Sequence, residues 1–458
     1  MTQTKENFFT NDKNFYKTFF KMLTVVALQN LIAYSVNMLD NIMLGSYSQD
    51  ALSGAATVNQ IFFVVNQLAI ALGNGLVVLC SQYWGQKNIK DIKKVTGAAL
   101  LISIILGLII FAICAFFPMQ LIRIFSSDQA IIDQGVLYLD IIKYTFFLFM
   151  ISNLLISMLR SVEVVRISFA ISVVSLIVNG SINYVLIFGR LGFPQMGIKG
   201  AAIGTLIARI IEFIIVLIYI GLVDKNVNLF SGSFIADSFS FSNKNALKKY
   251  IYMATPIVIS SLIWAISVPM QTAILGHLSS DAIAANSVAT TFFQYLKVIV
   301  IAVSSTEAVI IGKTIGQGDL SQIKQQARTL SIISVTLGLV LAIILLVLRA
   351  PLLSIYSLTP RAMELSDHFI IIMSLVMVGM SYQMPVSVGL IQGGGDNKFC
   401  LRMNIVATWC IMIPLSLITA FVIKAPVEWV VLAVQSDQIF KCLPVFLRFR
   451  SYKWIRKL

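Results

Sequence analysis

Twelve long apolar stretches, separated by short polar loops, constrain this sequence more than anything else in it. They run over roughly 18–44, 51–80, 95–117, 131–158, 167–189 and 197–222, then 247–276, 282–312, 327–348, 362–391, 399–422 and 427–446. A helix needs about 20 apolar residues to cross the hydrocarbon of a bilayer. Each stretch meets that length or comes close to it. Of the 458 residues only 12% are charged, against roughly 25% in soluble domains. A soluble fold of this size could not cover its surface with so few charges, and disordered, collagenous and coiled-coil chains are excluded on the same ground. The expected fold class is an all-α integral membrane protein with twelve transmembrane helices. The polar first 22 residues do not read as a signal peptide. Five scattered cysteines with no Cys-x-x-Cys pair support neither a disulfide framework nor a zinc site.

A net charge of +14 would suggest nucleic-acid binding in a soluble protein. Here it reads as a topology signal. With both termini placed in the cytoplasm, 25 of the 34 Lys and Arg residues fall in cytoplasmic segments, Lys5 and Lys87 to Lys94 among them. Only six fall in outer loops, which is the positive-inside bias. Lys143, Arg209 and Lys297 lie within spans. No nucleic-acid partner is needed to explain the charge. The most polar stretch between spans six and seven marks a linker. The expected organisation is therefore an N-terminal six-helix lobe (1–223), a cytoplasmic linker (224–246) and a C-terminal six-helix lobe with a basic tail (247–458).

The two halves are copies. At an offset of 231 residues, DNIMLGSYSQDAL (40–52) lies over QTAILGHLSSDAI (271–283), and YWGQKNIKDIKK (83–94) over TIGQGDLSQIKQ (314–325). Between 42 and 94, 13 of 53 positions are identical, including Gly45/Gly276, Asp50/Asp281 and Gln86/Gln317. Apolar composition does not align such punctuation at one fixed offset. Six spans per half, an even number, put both halves in the membrane the same way up. That is a parallel repeat, an arrangement suited to alternating access around a site near the midplane.

MLDNIMLGSYSQDAL, QYWGQKN and INYVLIFGRLGFPQMGIKGAAIGTLIAR in the first half resemble the multidrug and toxic compound extrusion (MATE) family of secondary transporters. So do IGKTIGQGD, LIQGGGDNKF and KCLPVFLRFRSYKWIRKL in the second. The resemblance runs in order over nearly the whole chain. It implies two pseudo-symmetric six-helix lobes in a V. It also implies a plasma-membrane antiporter, acting as a monomer, that exports lipophilic, often cationic compounds against inward movement of H⁺ or Na⁺. No enzyme activity and no cofactor beyond the coupling ion are implied; the partners are small-molecule substrates and membrane lipid.

Asp40, late in span one with Asn37 one turn earlier, is the sharpest candidate for the coupling chemistry. A carboxylate within a span is costly and faces a cavity or a partner; the other reading is an interfacial Asp near the outer helix end. The family resemblance favours the first, because its N-lobe cation site uses an acidic residue here. Asn179 and Asn183 share a helix face at i,i+4. They either join that site or hold helices together. Tyr138 matches a family position in the same network, and Thr205 is a weaker match. Gln271 takes the place of Asp40 across the repeat, so it is counted with Asn37 and Glu307 as lining for a substrate cavity. Spans seven and ten lack a mid-span carboxylate, which favours coupling in the N-lobe. Span one carries Val25 where the family often has proline; the repeat partner is Pro256.

Glu307, in AVSSTEAVIIGK, is the unexpected charge. It could neutralise a cationic substrate or bind a proton; the expectation is an ion pair with Lys313 or Lys297. Asp140/Lys143, Arg209/Glu212 and Asp437/Lys441 have the spacing of self-satisfying pairs. Pro385 and Pro414 are expected to kink their helices, and Gly393 to Gly395 to turn the chain out of span ten. Without GxxxxGK[ST] the glycines do not form a phosphate loop. A lipid-linked oligosaccharide flippase of the same broader superfamily is the alternative, but it would need more cationic residues within the spans. His277 and His368 are isolated, with no nucleophile–base constellation to suggest an enzyme.

Overall fold

The structure is a computed structural model that describes residues 9–231, 244–354, 356 and 358–457. Lys5 and residues 232–243 of the expected linker lie outside the described residues. Among the described residues, eleven helices are long and apolar enough to cross a membrane. We number them as spans 1 to 11: Lys13–Tyr47, Gln49–Gly85, Ile89–Phe116, Gln129–Ser161, Arg166–Phe188, Ile198–Val223, Lys244–Gly276, Asp281–Gln317, Leu320–Leu353, Pro360–Gln392 and Asn397–Val422. Span 12 is a broken pair, Val427–Val434 and Asp437–Arg450, bent by 43°. A single uninterrupted stretch at 427–446 was the expectation. The second piece instead starts with Asp437, whose carboxylate accepts from Lys441 Nζ at 2.7 Å with both side chains buried. An acidic residue at a helix start suits the dipole there. A short helix, Pro118–Arg123, also lies between spans 3 and 4.

The repeat is visible in the capping atoms. Ser48 starts span 2 by accepting from the Ala51 amide, and Ser279 accepts from the Ala282 amide at the start of span 8. Asp50 and Asp281 follow in the first turns. Asn88 accepts from the Asp91 amide ahead of span 3, and Asp319 from Ser321 and Gln322 ahead of span 9. Each cap satisfies helix-terminal N–H groups that would otherwise lack a partner. Spans 3 and 9 also share an outward apolar face, with Leu108 and Ile109 exposed in one and Leu339 and Val340 in the other. Bare aliphatic surface of this kind suits contact with lipid.

The prolines expected to kink their helices lie in or beside π-helical winding. Pro385 opens a π-helical stretch to Gln392. Pro414 lies between π-helical stretches Val406–Met412 and Ile418–Val422. Proline has no N–H and crowds the preceding turn; wider winding relieves both defects. Gly393 to Gly395 form the turn out of span 10, with Gly395 at φ 96°. The three charge pairs close as their spacing requires, at 2.5 Å for Lys143–Asp140, 2.6 Å for Arg209–Glu212 and 2.7 Å for Lys441–Asp437.

Packing divides the chain into two compact units, and the division cuts through spans 1 and 7 rather than through the loop between spans 6 and 7. One unit is Leu28–Thr255. In it span 2 lies along span 4, span 4 along spans 3 and 6, and span 5 along span 6. Tyr250, at the start of span 7, donates to the Leu72 carbonyl at 2.9 Å.

The other unit comprises the described residues of Met1–Ala27 and Pro256–Leu458. Span 10 packs along spans 8 and 9, with Phe369, Met373 and Met377 against Ala289, Phe293 and Leu341 in its core. A second cluster joins Phe15 and Phe19 of span 1 to Ile311, Leu330, Leu390, Phe449 and Trp454. Trp454 is fully buried, donates to the Phe449 carbonyl at 3.0 Å and stacks on its ring. Beside it the Arg456 amide donates to the Gly394 carbonyl at 3.0 Å, and Arg448 and Arg456 both pair with the buried Asp396.

Candidate functional site

The unit Leu28–Thr255 holds a polar chain built from three helices. Asn179 and Asn183, one turn apart on span 5, are both buried. Asn183 Nδ2 donates to Asp40 Oδ1 of span 1 at 2.6 Å and lies 3.3 Å from Asn179 Oδ1. Asn179 Nδ2 in turn donates to Thr205 Oγ1 of span 6 at 3.2 Å. The buried hydroxyl of Tyr138, from span 4, faces Thr205 and is within electrostatic reach of Asp40. Five residues picked from the sequence thus meet in one place.

The arrangement has one acid and a surplus of oxygen acceptors. Asn183 Oδ1 is buried with no hydrogen-bond partner among the described residues, so an acceptor stands beside a carboxylate that already receives one donor. Such a set can pass a proton through Asp40, the one titrating group in the chain of bonds. It can also offer Asp40, amide and hydroxyl oxygens to a small cation. Arg209 is the nearby cation acting on Asp40. It is held away by its bond to Glu212 and by the Phe149 ring, 4.8 Å from the guanidinium carbon.

Gly204, on span 6, was not picked out from the sequence. A Cβ at this position would collide with Asn183 Oδ1, so glycine is what lets span 6 approach the amide. Its only trace is a small residue in GAAIGT beside Thr205, one small residue among several.

None of the three residues expected to line a substrate cavity is bonded to this network among the described residues. Asn37 is exposed and Gln271 half-buried. Gln271 and Glu307 belong to the other unit. Glu307 also departs from the expected ion pair. Its Oε1 accepts from Ser334 Oγ of span 9 at 2.7 Å, and no ion pair to it occurs among the described residues. Lys297 instead lies over the Trp264 ring, 5.2 Å from its centroid. The sequence favoured partners on Glu307's own helix, whereas the side chain turns to a neighbouring helix.

Comparison with known proteins decides the family. A family model, MatE, matches residues 26–185 and again 256–418, one match to each half. The chain belongs to the MatE family. The "Probable multidrug resistance protein NorM" of Thermotoga maritima is 23% identical over 94% of this chain and 91% of its own length. The protein of that name in Listeria monocytogenes (strain EGD-e) is 24% identical, over 87% and 86%. Two solved structures share the fold. One is a MOP superfamily transporter from Pyrococcus furiosus, with a TM-score of 0.85 at 16% identity over 98% of both chains. The other is a Vibrio cholerae MATE transporter, VcmN, with a TM-score of 0.86 at 17% identity over 96% of this chain and 98% of that one. This MatE protein is a multi-pass membrane transporter and not an enzyme.

Proposed function

We propose that this MatE protein is a cation-coupled antiporter that exports lipophilic, often cationic compounds by alternating access. The observation that carries the reading is the bond from Asn183 to Asp40, continued through Asn179 to Thr205. A lone carboxylate within a span is expensive to keep. Here it is placed among oxygen acceptors, where binding and releasing a cation repeatedly is chemically reasonable. The coupling ion is H⁺, exchanged on Asp40, or Na⁺, held by its oxygens. The names of the NorM relatives support multidrug substrates. The basic loops support a plasma-membrane orientation with residues 9 and 457 on the cytoplasmic side. The chain works as a monomer, each copy carrying both halves of the repeat.

Dye efflux from everted membrane vesicles tests this, with the H⁺ and Na⁺ gradients collapsed in turn. Efflux should stop when one of the two is removed; efflux indifferent to both overturns the reading. Asp40→Asn should abolish gradient-driven efflux while the protein still inserts and purifies normally. Full activity in that variant removes Asp40 from the mechanism.

A further inference from the structure

The unit formed by the described residues of Met1–Ala27 and Pro256–Leu458 contains a second carboxyl that the coupling site does not use. Glu307 of span 8 is fully buried. One oxygen accepts from Ser334 Oγ at 2.7 Å; the other, Oε2, is buried with no hydrogen-bond partner among the described residues. The span 10 backbone closes the remaining side. A Cβ at Gly389 would stand 2.7 Å from Glu307 Oε2, 2.8 Å from Glu307 Cβ and 3.0 Å from the Ser304 carbonyl oxygen. No hydrating water fits against the carboxyl there.

Among the titratable groups on the packed elements are Lys297 and Lys313 on its own helix, Arg328 on span 9, and Tyr382 on span 10 with Asp396 beyond it. None forms an ion pair or hydrogen bond with Glu307 among the described residues. Lys297 lies over Trp264, Arg328 donates to Tyr452, and Asp396 is held by Arg448 and Arg456. Lys441 and Asp437 of span 12 satisfy each other.

A buried carboxylate with a single donor and no cation is too costly to keep ionised, whereas the neutral acid needs no counter-charge. A metal cation in its place would require several oxygens around it, and this cage offers a carboxyl and one hydroxyl. We propose that Glu307 is a proton-binding site of this unit, separate from Asp40, which holds its proton while Ser334 and Gly389 enclose it. The cage is made partly from a segment that can rearrange. Gly389 lies in the π-helical stretch that starts at Pro385, and such stretches are frequent at functional sites. Unwinding or rotation there would admit water to Oε2 and let the proton leave. The proposal rests on the transporter reading only for its purpose; the protonation itself is measurable without any substrate.

Infrared difference spectroscopy on the purified full-length protein tests it. At neutral pH the carbonyl stretch of a protonated carboxylic acid should be present. It should survive in Asp40→Asn, disappear in Glu307→Gln, and move to higher frequency in Ser334→Ala, where the hydrogen bond to the carbonyl is lost. A band left unchanged by Glu307→Gln in folded protein overturns the proposal. If that variant does not fold, an unshifted band in Ser334→Ala overturns it. In proteoliposomes Glu307→Gln should move fewer protons per substrate than the parent. An unchanged ratio would also overturn the site, whereas efflux that needs no ion gradient in the parent would sink only the coupling reading.

Discussion

Gly204 shows how much a missing side chain can decide. Any Cβ at this position meets Asn183 Oδ1, and Asn183 is the residue that donates to Asp40. Gly204→Ala should push the amide off the carboxylate and lower the efflux rate on the order of tenfold, which corresponds to about 1.4 kcal/mol. Vesicle efflux at matched expression measures it, and an unchanged rate would show that the Asn183 bond is dispensable. The network was legible in the sequence only in part. The spacing of Asn179 and Asn183 shows that they share a face, a carboxylate within a span singled out Asp40, and the resemblance favoured its coupling role and supplied Tyr138. Spacing along one helix cannot reveal which atom of a neighbouring helix comes close. For that reason Gly204 was missed, and Glu307 was expected on Lys297 or Lys313 when its partner is Ser334.

At the scale of single elements, the helix starts were encoded most plainly. Ser48 and Ser279, and Asn88 and Asp319, sit at matched places in the repeat and cap matched helices. Asp319 accepts from the Gln322 amide, the Ser321 hydroxyl and the Ser321 amide, and these bonds hold its carboxyl below the usual carboxylate range. A lowered value means that the cap is fully formed above that range and is lost as pH falls through the lowered value. Hydrogen exchange at the Ser321 and Gln322 amides, corrected for intrinsic rates, should therefore stay slow at neutral pH and quicken only at strongly acidic pH. Asp319→Ala should show the quick exchange at every pH. Equal protection in both proteins would mean that the cap is not what holds this turn. Hydropathy also placed the spans well, because twenty apolar residues in a row have few alternatives. It did not show the break of span 12 at Gln435 and Ser436, since neither residue is a strong helix breaker and the apolar run continues past them. The π-helical stretches were hidden for a related reason: proline predicts a disturbance, but the surrounding packing selects its form.

For the whole molecule, the division of basic residues predicts sidedness. In a background lacking Cys410, which is exposed, Lys90→Cys and Lys398→Cys should react with an impermeant maleimide only from the cytoplasmic face. Lys199→Cys and Lys424→Cys should react only from outside. Any other division of the four removes the proposed orientation.

The cluster that joins Phe15 and Phe19 to Phe449 and Trp454 also has a consequence for synthesis. Residues near position 15 leave the ribosome hundreds of residues before position 454 does. Their hydrophobic side chains must wait, held by lipid or by the insertion machinery, until the partner residues are translated. That unit is therefore assembled after the fact, not as it emerges. Nascent chains arrested ahead of Phe449 should leave a cysteine at position 15 open to labelling, and completed, released chains should protect it. Protection already present in the arrested chain would show that the early helix finds another home first.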